Sequence, residues 1–158
     1  MISSEILRGY PFFAGLSEEE LRGIAAITEE KTHEPNTYIG YEGQPAEKLY
    51  LVVIGPVEVQ INIDEEGLQR ETVVVRHAGE VCGWSALVEP YILTASLFCP
   101  AKATVLEIDA KAMRAMFEEN HHLGYRILQR IAAIASERLK RTRFQLLGKV
   151  APQSAGRG

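Results

Sequence analysis

The chain has 158 residues, 46% hydrophobic and 24% charged, with a formal net charge of −4. This is the length and balance of one ordinary globular domain, which excludes a disordered or collagen-like chain and needs no disulfide or metal staple. No apolar run approaches the ~20 residues of a membrane span, the N-terminal MISSEILRGYPFF lacks the apolar stretch of a secretory signal, and the cysteines Cys82 and Cys99 have no metal-ligand spacing, so a cytoplasmic location is expected.

From the N-terminus, Ile6, Leu7, Phe12, Phe13 and Leu16 form an apolar segment expected to dock on the rest of the domain. Ser17-Glu18-Glu19-Glu20 is a capping-box signature, in which the Ser17 hydroxyl and the Glu20 carboxylate each accept from the other's backbone amide. Leu21, Ile24, Ala25 and Ile27 continue it at helical spacing. From about Glu30 to Asp109 the pattern changes to short strands. Val57, Val59, Ile61 and Ile63 alternate with Glu58, Gln60 and Asn62, a period of two with one wet face. Asp64-Glu65-Glu66-Gly67 predicts a turn, after which Thr72-Val73-Val74-Val75 resumes the strand. Tyr38–Tyr41 and Leu49–Val53 are further strand candidates, and glycines at 43, 55, 67, 79 and 83 punctuate the block. Strands at that spacing predict an antiparallel sandwich or barrel.

Helical periodicity returns after Asp109. Met113, Met116 and Phe117 share one side of a short helix opening near Asp109 or Ala110. A long helix is expected over about 121–147, with Leu128, Ile131, Ala135, Leu139, Thr142 and Leu146 at 3.6 residues per turn. Ile127 and Ile134 widen that stripe beyond one packing surface, which predicts a homodimer through this helix. Gly148 and Pro152 are expected to end it, leaving 1–148 as one domain and 149–158 as a flexible tail. From Tyr125 onward eight basic residues face Glu137 alone, a charge of +7 that leaves −11 on the preceding 124 residues. The basic run Arg138-Lys140-Arg141-Arg143 predicts at most a weak, salt-sensitive contact with nucleic acid, because no groove-reading motif accompanies it.

Catalytic chemistry is thin. His33, His77, His121 and His122 form no metal-spaced set, and no nucleophile elbow, Walker loop or dinucleotide fingerprint occurs. No enzyme activity, metal or cofactor is expected.

The most informative stretch is Gly79-Glu80-Val81-Cys82-Gly83-Trp84-Ser85-Ala86-Leu87, followed by Thr94-Ala95-Ser96. By spacing, Gly83 opens a short helical turn over Trp84–Glu89 that Pro90 closes, with its first amides aimed outward at an anion. The stretch resembles the phosphate-binding cassette of cyclic-nucleotide-binding domains, the sensor module of the catabolite-activator (Crp/Fnr-like) family. Phe12–Ser17, Tyr41–Ala46 and Leu49–Pro56 resemble other segments of that family in the same order, so the likeness spans residue 10 to about 145. It implies a mainly β fold with flanking helices: a double-stranded β-helix, or jelly-roll-like β-roll, of about eight antiparallel strands plus a long C-terminal helix. It also implies a ligand site at Gly83, Trp84, Ser85, Ala86, Leu93, Thr94, Ala95 and Ser96, with Arg138 and Thr142 where the family's long helix contacts the base.

Two departures qualify the resemblance. Trp84 stands where the family has a ribose-binding Glu, and Leu93, or Ile92 in a shorter loop, where it has a phosphate-binding Arg. Losing two charge-assisted hydrogen bonds costs about 3–6 kcal/mol, or two to four decades of affinity. The expected function is therefore a stand-alone regulatory sensor with a modified cassette, taking a small-molecule effector, cyclic nucleotide or other, and signalling through a homodimer or an unknown protein partner. The alternatives are an interaction module whose pocket Trp84 closes, or the sensor fragment of a transcription regulator.

Overall fold

The structure is a computed structural model that describes residues 1–148, so Pro152 and the expected tail at 149–158 lie outside the described residues. The N-terminal segment forms α1 (Ser4–Arg8), a 3-10 turn at Pro11–Phe13 and α2 (Glu18–Ala26). Eight strands come next: β1 (Thr28–His33), β2 (Thr37–Gly40), β3 (Lys48–Ile54), β4 (Val57–Asn62), β5 (Arg70–Arg76), β6 (Val81–Cys82), β7 (Ser96–Cys99) and β8 (Ala103–Asp109). A second 3-10 turn, Trp84–Leu87, separates β6 from β7, and α3 (Ala110–Glu119) and α4 (His121–Leu146) complete the described chain. No helix among the described residues is long and apolar enough to cross a membrane.

The strands pair antiparallel in two four-stranded sheets, ordered β1-β8-β3-β6 and β2-β7-β4-β5. The expected β-roll with flanking helices and a long C-terminal helix is what is found. β3 and β8 explain its layering. Along β3, Tyr50 and Val52 face a core between the sheets, while Leu49 and Leu51 face a second core beneath the helices. β8 divides likewise, with Ala103 and Val105 between the sheets and Leu106 and Ile108 toward the helices. A strand covered on both faces reads as a continuous apolar run, as Leu49–Ile54 does.

The capping box at Ser17 forms as expected: Glu20 N donates to Ser17 Oγ at 3.1 Å and Ser17 N to Glu20 Oε1 at 2.9 Å. The upstream apolar segment docks through Leu7, Phe12 and Phe13, while Ile6 stays exposed. Asp109 caps α3 by accepting from Ala112 N at 3.0 Å, and Asn120 both ends α3 and caps α4 by accepting from Leu123 N at 3.1 Å. α4 is thereby launched back across the roll, and Arg130 ties it to the Pro11 and Ala14 carbonyls at 2.8 and 2.9 Å.

Three expectations are corrected. The alternation in β4 does not give one buried face throughout. Val57 is fully buried but Ile61 and Ile63 are exposed, because β4 and β5 run out beyond the sandwich as a hairpin at the sheet edge. The cassette helix is a four-residue 3-10 turn rather than a helix to Glu89, since Val88 is already extended. On α4 the packed side chains are Leu123, Ile127 and Ile131, with Ile134 against them, whereas Leu128, Leu139 and Leu146 point away from the roll. Periodicity located an apolar stripe, but the bend of the chain at Asn120 decided which side of the helix meets the sheet.

Candidate ligand-binding cavity

β6 pairs with β3 through Tyr50 opposite Cys82, and this short strand delivers the chain to Gly83. Gly83 adopts φ +74°, and a Cβ there would sit 2.8 Å from Tyr50 Cδ2 and 3.3 Å from the Lys48 carbonyl. Both the left-handed backbone and the close approach of β3 require glycine. The turn after it buries Ser85, Ala86 and Leu87. Arg114 of α3 donates to the Ala86 carbonyl at 2.5 Å and lies 3.9 Å over the Tyr91 ring, which holds the turn against α3. Downstream, Leu93 N donates to the Gln44 carbonyl at 2.9 Å and Gly43 N to the Leu93 carbonyl at 2.8 Å. These bonds clip the segment before β7 to the loop before β3.

The turn and this clipped segment enclose a cavity of about 100 Å³. Its wall contains Gly83, Trp84, Ser85, Leu93, Thr94, Ala95 and Arg138, seven of the ten residues singled out in the sequence. Ser85 and Thr94 hydroxyls face each other at 3.3 Å, giving the wall a small polar patch. The other three lie elsewhere. Ala86 is fully buried in the core, and its amide donates to the Gly83 carbonyl at 3.1 Å. Ser96 is also fully buried, with its hydroxyl accepting from Glu42 N at 2.9 Å. Thr142 is exposed on α4 and does not line the cavity.

The electrostatics differ from a merely modified cassette. Among the described residues no carboxylate lines the cavity, and two guanidinium groups do: Arg138 from α4 and Arg76 from the end of β5. Arg76 Nη1 lies 3.4 Å from Glu80 Oε2. Arg138 has no carboxylate within salt-bridge distance among the described residues, and its Nη1 is shielded from solvent without a hydrogen-bond partner. Burial first, then the like charges of Arg76 and Arg141, lower the Arg138 pKa. Burial pushes the Cys82 thiol, also in the wall, up to about 12, so it is no nucleophile there.

Arg76 was not legible as a site residue. It ends the edge strand β5, and only the tertiary approach of α4, which also bonds Gln145 Nε2 to the Val73 carbonyl at 3.1 Å, brings it to the same cavity as Arg138. Trp84 packs against the core beneath the helices and narrows the cavity without filling it. Beyond the two arginines a wider cleft of about 330 Å³ opens between α4 and the β5–β6 connection, lined also by Glu80, Ile134, Glu137 and Arg141. A third cleft, between α2 and the α3–α4 junction, carries Glu19, Glu20, Glu119 and His122 and is remote from the cassette residues.

Comparison with known proteins agrees with this geometry. The family described as the cyclic nucleotide-binding domain matches residues 30–120. A protein of Geobacter metallireducens GS-15 named for cyclic nucleotide binding is 35% identical, with a TM-score of 0.79 over 88% of this chain and 99% of that one. A cyclic nucleotide-binding domain of Methylobacillus flagellatus KT is similar in fold at 20% identity, TM-score 0.74, covering 96% and 84% of the two chains. The sensor domain of the transcriptional regulator DNR of Pseudomonas aeruginosa is similar in fold at 17% identity, TM-score 0.68, covering 83% and 91%. Glutaminase 1 of Bradyrhizobium diazoefficiens is 29% identical over 129 residues, which are 82% of this chain but only 20% of that protein. With more than half its residues matched and the β-roll and cassette turn in place, the chain belongs to the cyclic nucleotide-binding domain family.

Proposed function

We propose that residues 1–148 are a regulatory sensor module that takes a small effector in the cassette cavity and signals through a homodimer or a protein partner. The observation that carries this reading is the cavity itself. Seven cassette and helix residues still surround an open space, although Trp84 and Leu93 replace the family's acid and base. An interaction module with a closed pocket would have Trp84 filling it. We read the likeness to the glutaminase as a shared regulatory segment and not as shared catalysis, since four fifths of that protein lies outside the match.

α4 supports the dimer. Tyr125, Leu128, Ala132, Ala135, Leu139, Thr142 and Leu146 succeed one another at alternating spacings of three and four, the 3.5-residue period of a coiled-coil seam. Leu128, Leu139 and Leu146 on that seam are 41%, 53% and 86% exposed, so a second copy of α4 would cover surface that the roll leaves open.

Calorimetry with cyclic AMP on the purified, ligand-stripped chain tests the modified cassette. Without the ribose carboxylate and the phosphate guanidinium at their family positions, an affinity two to four decades weaker than a micromolar site is expected. A cavity of about 100 Å³ also falls below the ~300 Å³ at which drug-sized ligands are ordinarily enclosed. A dissociation constant below about ten micromolar, with the cyclic AMP shown to contact Trp84 and Leu93, would overturn the reading.

A further inference from the structure

We infer that the cavity is an anion receptor built on Arg138 and Arg76, and that its ligand is a compact phosphorylated metabolite. The phosphoryl group sits between the two guanidinium groups, and the organic remainder lies toward the α4 cleft. This rests on the sensor reading above and names the ligand class for the same site.

The pair is unusual in what surrounds it. Among the described residues, two cations share the wall of a cavity that has no acidic residue, and only Arg76 has an acid within reach, Glu80 at 3.4 Å. Like-charged groups brought together at a partly buried site raise each other's free energy unless a counter-charge joins them. Arg141 does not relieve Arg138, because it adds positive charge and leans toward Glu137 at 3.9 Å. The shielded Nη1 of Arg138 is a donor without an acceptor, which costs stability until one arrives. A guanidinium fork matches a phosphoryl group in both charge and planar hydrogen-bond geometry.

Size selects within the anions. The inner space of about 100 Å³ is sufficient for a phosphoryl group and insufficient for a whole nucleotide, whereas the adjoining cleft of about 330 Å³ can house a small organic body. Arg76 and Arg138 line both spaces, so the charged group lies at their junction. Ser85 and Thr94 supply hydroxyls to the lining of the inner space. The phosphate contact is thus moved from the cassette loop, where Leu93 is apolar, to β5 and α4. An anion bridging β5 and α4 would also fasten the C-terminal half of the helix, which otherwise meets β5 through Gln145 Nε2 and the Val73 carbonyl at 3.1 Å.

The test uses the full chain with two readouts, thermal unfolding and the emission of Trp84, the single tryptophan, which lines the cavity. Probes are inorganic phosphate, a sugar phosphate monoester, cyclic AMP and uncharged adenosine. Phosphate and the monoester are expected to raise the melting temperature and shift the emission, with the monoester at least tenfold tighter than cyclic AMP and adenosine without effect. Arg138→Met and Arg76→Ala are each expected to weaken the anion response at least tenfold, and Arg143→Ala, on an exposed part of the same helix, to leave it unchanged. Arg138→Met is further expected to melt no lower than the parent in anion-free buffer, because it removes an uncompensated charge, and Arg138→Lys to keep a reduced response. A parent response that survives both Arg138→Met and Arg76→Ala would overturn the anion receptor and leave the sensor reading standing. So would a response to adenosine equal to that of phosphate. A chain that responds to none of the probes would overturn both.

Discussion

Gly83 sets the backbone geometry of the cassette turn. Its left-handed φ turns the chain out of β6 and lets the cassette turn press against Tyr50. A Gly83→Ala substitution would cost about 1–2 kcal/mol for the left-handed conformation alone, with displacement of the Tyr50 ring in addition. For a chain of this size about 2–4 °C of melting temperature is lost per kcal/mol. A drop of at least ~3 °C is therefore expected, and an unchanged melt would show that the turn has another backbone solution. Trp84 and Leu93 stand at the two cassette positions where the sequence departs from the resembled family. Both line the cavity, yet Leu93 is only 6% exposed and belongs to the core beneath the helices, so an arginine there would meet apolar neighbours as well as two existing cations.

α4 has one packed side and one open side. Leu123, Ile127 and Ile131 are fully or almost fully buried against the roll, and the opposite seam through Leu128, Leu139 and Leu146 is open. Because Leu139 is half exposed in the single chain, Leu139→Asp should change folding stability by no more than ~0.5 kcal/mol. In the dimer the same carboxylate would be buried without a partner. Sedimentation at tens of micromolar is therefore expected to give a dimer for the parent and a monomer for the variant, with both folded by circular dichroism. A monomeric parent would remove the dimer from the proposed mode of signalling. Arg138 precedes Leu139 on the same turn, so a ligand held by Arg138 and an interface built on Leu139 are mechanically adjacent.

Across the whole molecule, the N-terminal and C-terminal helices are joined by one side chain. Glu20 Oε1 accepts from the Ser17 amide at 2.9 Å, while Oε2 accepts from Asn120 Nδ2 at 2.9 Å and lies 3.3 Å from His122 Nδ1. Burial raises the Glu20 pKa, but the bonds from Ser17, His122 and Asn120 together outweigh it and hold the carboxyl below its ordinary value. A carboxyl group with a depressed folded pKa contributes stability that is present above its unfolded pKa and lost as pH falls through the folded one. Urea unfolding is expected to show stability falling as the pH drops from 6 toward 3.5. Glu20→Gln keeps the capping-box acceptor and removes the titrating charge, so its slope in that window should be shallower. Parallel slopes for the two proteins would show that the link carries no charge-dependent stability.

The features legible in the sequence are those written in neighbouring residues, though the length of the cassette turn and the buried extent of β4 were not among them. The capping box at Ser17, the Asp109 start of α3, the apolar run of the doubly covered β3 and the glycine-led cassette turn depend on spacing within a few positions. Seven of the ten candidate site residues share one cavity wall because most of them lie in two short stretches, Gly83–Ser85 and Leu93–Ala95. The tertiary structure alone decided the rest. Periodicity cannot tell which side of α4 faces the sheet, so the outward seam and the exposure of Thr142 were set by the path of the chain through Asn120. Ser96 looked like cavity lining until its hydroxyl was found occupied by the Glu42 amide, a partner from a distant loop. The meeting of Arg76 with Arg138 is the clearest case. One ends an edge strand and the other rides a helix, and no short-range pattern encodes that the two would close over the same small space.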